Sequence, residues 1–69
     1  MKYTMLYETI FLLEEMRSQQ GNTGDRVIKC LDQVILNLEA LKGGGYSEPE
    51  LSTIILQELG RLFSEFPEL

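Results

Sequence analysis

Two clusters of helix-breaking residues divide the chain and decide most of what it can become. One is "SQQGNTGD" at residues 18–25 and the other is "KGGGYSEPE" at residues 42–50. They leave three segments of helical length, none of which alternates apolar and polar residues as a half-buried strand must. The expectation is an all-α chain, with helices over about residues 3–19, 24–42 and 48–66 in a single domain spanning residues 1–69. Two short links between three helices favour an up-down-up course with axes inclined by about 20°. The expected fold is thus a small antiparallel three-helix bundle, a helical hairpin followed by a third helix after the GGG loop.

The three segments differ in how their apolar residues are arranged. In the first, Leu6, Ile10 and Leu13 form one stripe, Met5, Leu12 and Met16 a second, and Tyr3, Tyr7 and Phe11 an aromatic third. Only Thr4, Glu8 and Glu15 make a clear polar strip, so this helix carries more apolar surface than two neighbours can bury. The second segment is expected to start at an Asn22 or Thr23 cap and to end near Lys42, with Gly43 as a C-cap glycine. Its residues Val27, Leu31, Val34, Leu38 and Leu41 repeat at the 4-3-4-3 spacing of a helix-pair seam, widened by Ile28 and Ile35. Leu36 points away from that seam. The third segment opens on "YSEPEL": Ser47 as N-cap, Glu50 completing a capping box, Pro49 in the first turn and Tyr46 placed to staple Leu51. From there Ile54, Ile55, Leu59, Leu62, Phe63 and Phe66 give a broad stripe that Pro67 ends, and Gly60 inside it is explained either by a close helix crossing or by chance.

With 69 residues the chain is near the lower size at which a core alone sustains a fold. Small domains add disulfides, a metal or a second subunit. The single cysteine, Cys30, forbids an internal disulfide, and the absence of histidine removes the Cys/His zinc patterns. Association, with itself or another protein, is the support that remains, and a dimer through helix one is expected.

Charge and motif narrow the function classes. Six basic against eleven acidic residues give a formal charge of -5, and the basic ones are scattered, which disfavours phosphate backbones and anionic lipid. No nucleic-acid or membrane partner is expected. Glu8 interrupts the opening apolar run and Glu14, Glu15 and Arg17 close it, too early for a signal peptide or a spanning helix, so a cytoplasmic location is expected. An enzyme is not expected: no histidine is available as a base, and no serine or cysteine sits in a nucleophile motif. Glu14, Glu15, Asp25, Asp32 and Glu39 read as a solvated polar side, Cys30 as a near-core thiol, and Gly43 to Gly45 as a linker, since no phosphate-binding sequence follows. No calcium-loop or di-iron pattern occurs, so no metal, cofactor or small-molecule substrate is expected.

What remains is a protein-binding role. Tyr3, Tyr7 and Phe11, with Leu36, are the expected partner or dimer interface, because aromatic residues favour interface centres and tolerate solvent through their polar tips. The expected function is that of a small acidic interaction module regulating a larger protein, as inhibitor, anti-activator or adaptor. A secretion-type or assembly co-chaperone and a purely structural homo-oligomer are the alternatives.

Overall fold

The computed structural model describes residues 4–20 and 25–68. They form three α-helices, α1 (Thr4–Gln20), α2 (Asp25–Glu39) and α3 (Glu48–Glu65), with no strand among the described residues. Each helix packs on both others, α1 and α2 most extensively. The body measures 36 × 20 × 15 Å. The expected Asn22 or Thr23 cap lies outside the described residues.

α2 is the most one-sided of the three helices and α1 the least. The core follows from that. α2 buries Leu31, Val34, Ile35 and Leu38 between Leu6, Ile10 and Leu13 of α1 and Leu51, Ile55 and Leu62 of α3, with Phe66 closing one end. Leu6, Leu31 and Leu38 have no accessible surface. Burying one such side chain contributes about 1.5–3 kcal/mol. Val27 and Leu41, at the two ends of the seam of α2, are only partly buried, as are Met16, Cys30, Tyr46 and Leu59 around its edge. Among the described residues no polar or charged side chain is buried.

α3 begins as its sequence dictates. Ser47 is extended, its Oγ accepts the Glu50 amide at 3.3 Å, and its own amide donates to the Glu50 carboxylate at 2.9 Å, so both halves of the capping box are made. The Ser47 hydroxyl also donates to that carboxylate at 3.1 Å. These bonds, the one from the amide foremost, hold the Glu50 pKa below the ordinary carboxylate value. Pro49 sits in the first turn, where its missing N–H costs nothing. At the other end the Phe66 amide still donates to the Leu62 carbonyl, and Pro67 prevents a further turn.

Three expectations need correction. α2 stops at Glu39, short of Lys42: the Leu41, Lys42 and Gly44 amides bond three residues back, to Leu38, Glu39 and Leu41, which tightens the chain out of the α pattern. The left-handed residue is Gly45, with φ 70°, and not Gly43. Gly44 is fixed for a different reason, because a Cβ there would collide with the Tyr46 ring. The GGG loop is therefore shaped at two of its positions. Finally, Gly60 faces open space: a Cβ added there would meet nothing within 4 Å, so among the described residues no helix crosses closely at that point.

Two outcomes follow for stability. A chain of this size is stable by about 4–10 kcal/mol, and Leu38→Ala is expected to remove about 2–5 kcal/mol of it, whereas Gly60→Ala should add up to about 1 kcal/mol. Urea unfolding followed by circular dichroism at low protein concentration checks both, and a destabilised Gly60→Ala would show that the site is crowded after all. A second outcome concerns acid. Because the folded Glu50 pKa is depressed, its contribution is complete above the unfolded value of about 4.3 and is lost as pH falls through the folded value. The stability difference between wild type and Glu50→Gln should thus be constant from pH 7 to about 5 and shrink toward pH 3. An unchanged difference at acid pH would rule out the carboxylate as the source.

Candidate protein interface

An α-helix turns by about 100° per residue, so residues that reach a neighbouring helix mark one flank and leave the other identifiable. On α1, Arg17 pairs with Asp32 of α2, and Tyr7 lies under the Lys42 ammonium at 5.0 Å from its ring centroid. The hydrogen bond from Arg17 to Asp32 raises the arginine pKa further above its ordinary value, and the carboxylates of Glu14 and Glu39 act in the same direction. These residues define the α1–α2 side. On α3, Glu58 accepts from Asn37 of α2 at 3.3 Å and Glu65 accepts from Arg26 at 2.8 Å, with the Arg26 guanidinium 5.4 Å from the centre of the Phe66 ring. Gln33 donates to Asn37 and Arg61 to Glu58, extending that polar seam along α2 and α3.

The apolar residues excluded from the core are large. Phe11 is 62% exposed, Leu12 61%, Leu36 60% and Leu56 66%, and Met5 and Tyr7 are about half exposed. Tyr7, Glu8, Phe11 and Leu12 surround a shallow depression of about 420 Å³ on the outside of α1. Its floor is apolar and one wall is a carboxylate.

The residues singled out from sequence separate here. Tyr7 and Phe11, one turn apart, are brought together. Tyr3 lies outside the described residues. Leu36 stands on the outer shoulder of α2, flanked one turn away on the α1 side by Asp32 and Glu39, so carboxylates intervene between it and the aromatic pair. Two residues join the surface that sequence reasoning left out. Leu12, assigned to a different stripe of α1, completes the depression, and Leu56, missing from the stripe expected on α3, is the most exposed large apolar residue among the described residues.

A second concavity, of about 280 Å³, lies between α2 and α3 and is lined by Cys30, Gln33, Val34, Arg61, Leu62 and Glu65. Cys30 is half-buried against the core there, the position its sequence neighbours imply. Among the described residues no group of three or more Cys, Asp or Glu side chains is placed to hold a metal ion. Among them, too, no helix is long and apolar enough to cross a membrane. No protein-family model, characterised protein or solved structure matches this chain.

If the outer side of α1 is surplus to folding, it should tolerate polar substitution. Phe11→Ser is expected to change stability by no more than about 0.5 kcal/mol, whereas Leu13→Ser, which puts a hydroxyl into the core, should leave the chain largely unfolded. Thermal melts of the two variants decide this, and a Phe11→Ser variant as damaged as Leu13→Ser would place the ring in the core.

Proposed function

We propose that this chain is a protein-interaction module that regulates a larger protein, and that its docking surface is the outer side of α1 around Tyr7, Phe11 and Leu12. The observation that carries this reading is that the interior is complete without them. Large apolar side chains remain exposed beside one another on a helix whose opposite side is fully engaged in the core. Such a patch on a small domain marks an interaction site more often than it marks nothing.

The helices are taken to run up-down-up. The order of cross-helix pairs supports this: Tyr7 with Lys42 and Arg17 with Asp32, then Arg26 with Glu65 and Asn37 with Glu58, descend on one helix as they ascend on the next.

The charges around the depression indicate what kind of partner fits. Glu8 forms part of its wall and Glu15 follows on the same strip of α1, while Glu14 and Glu39 lie toward α2, where Asp32 is paired with Arg17 and Lys42 stands over Tyr7 at the edge of the depression. A basic amphipathic helix would place apolar side chains against Phe11 and Leu12 and cations against this carboxylate rim. A second copy of the chain would do the opposite. Two α1 helices crossing antiparallel at Phe11 and Leu12 would set Glu8 of each against Glu15 of the other, so like charges oppose a dimer by this route. An assembly co-chaperone would use the same depression, shielding a basic helix of its client.

Two synthetic helices of roughly five turns, identical on their leucine face but carrying lysine or glutamate on the other, provide the test. The lysine peptide is expected to bind with one-to-one stoichiometry, to weaken as salt rises and to bind Phe11→Ser about tenfold less tightly, a loss of about 1.4 kcal/mol. Equal binding of both peptides, or unchanged binding by Phe11→Ser, would remove this surface from consideration.

A further inference from the structure

Charge around the depression on α1 is uneven, and a cation holds a defined place in it. Each residue turns the helix by about 100°, so Phe11 lies about 40° from Tyr7 and about 60° from Glu8, between the two. Glu15, about two turns after Glu8, falls on the same flank as Glu8. A strip along Phe11 thus has Tyr7 on the flank toward α2, and Glu8 and Glu15 on the other. Over Tyr7, 5.0 Å from its ring centroid, stands the ammonium of Lys42.

Lys42 differs from the arginines of the molecule in how its charge is held. Arg17, Arg26 and Arg61 are each paired with a carboxylate. The acidic groups toward α2 are directed at the first of these: Asp32 bonds to Arg17, and the charges of Glu14 and Glu39 act on the same guanidinium. Lys42 rests on an aromatic face instead. A ring attracts an ammonium without neutralising it, so the positive charge is kept at the edge of the depression and stays available to a partner. The turn after α2 anchors the residue there, since the Lys42 amide donates to the Glu39 carbonyl at 3.1 Å.

We propose that Lys42 is a specificity determinant of the docking surface, an inference that rests on the reading of that surface given above. The partner it selects is an amphipathic helix with one basic flank, set against Glu8 and Glu15, and a carboxylate on the other flank that meets Lys42. A helix basic on both flanks is drawn by the net charge of -5 but sets a cation against Lys42. A helix acidic on both flanks opposes Glu8 and Glu15. Only the two-signed helix meets opposite charge on each side.

Three synthetic helices that share one leucine face test this on the full chain, at about 0.15 M salt, where charges more than about 8 Å apart are largely screened. One carries lysine on both flanks, one lysine and glutamate on opposite flanks, and one glutamate on both. Wild type is expected to bind the mixed peptide at least as tightly as the lysine peptide, and the glutamate peptide least. Lys42→Glu should shift the ratio of mixed to lysine affinity by about fivefold toward the lysine peptide. Lys29→Glu makes the same change of charge at an exposed position of α2 outside its core stripe, and should leave the ratio unchanged. Circular dichroism confirms that the variants fold, and Lys42→Gln, with a smaller shift in the same direction, serves if the glutamate variant does not. A ratio that the Lys42 variants do not move overturns the proposal and leaves the docking surface standing. A ratio that Lys29→Glu moves equally also overturns it, because net charge would then be the cause. Failure of the lysine and mixed peptides alike to bind wild type removes the docking surface, and Lys42 with it.

Discussion

The packing of one strongly sided helix between two others is the interaction on which the rest of the structure depends. Leu31, Val34, Ile35 and Leu38 of α2 supply the part of the core that both neighbours share. Without that seam α1 and α3 would keep only their direct contact with each other. Polar contacts then fix the edges: Arg17 with Asp32 on one side, and Asn37, Glu58, Arg26 and Glu65 on the other. Exposed pairs of this kind add little energy, so their effect is on register more than on stability.

A three-helix interior of this length accepts a limited set of side chains, and α1 supplies more than it can take. Leu6, Ile10 and Leu13 fill the share of α1, which leaves Met5, Tyr7, Phe11 and Leu12 outside. Part of that surplus gathers in one place. Phe11 stands beside Glu8, and Tyr7 lies under the Lys42 ammonium, so the proposed surface is acidic on the outer side of α1 and cationic only at its α2 edge. Leu12 completes the same depression, and Met5, about half exposed, lies beyond it on α1.

Much of this was legible in the sequence because it depends on local rules. The breaker clusters placed three helices, "YSEPEL" specified the start of α3 atom by atom, and the 4-3-4-3 spacing of α2 named its seam. The difficulties came where tertiary geometry intervenes. Periodicity divided α1 into three stripes and identified Leu6, Ile10 and Leu13 as core, but no wheel of a single helix shows which flank meets α2 and which meets α3. That is why the sequence leaves the place of Leu12 open and does not single out Leu56, and why it does not show that Asp32 and Glu39 lie between Leu36 and the aromatic pair. Gly45 was hidden for a related reason: three consecutive glycines do not announce which of them takes the left-handed conformation. The tightened end of α2 decides it.

The central claim is that the core is complete without the outer residues of α1 and α3. It is tested most directly by NMR with a soluble paramagnetic agent, at the lowest protein concentration that gives usable methyl and aromatic signals. The side chains of Phe11, Leu12 and Leu56 should relax rapidly with added agent while those of Leu31 and Leu38 remain unaffected. Protection of Phe11 and Leu12 equal to that of Leu31 in the dilute monomer would contradict the claim, because the chain would then be burying its own interface.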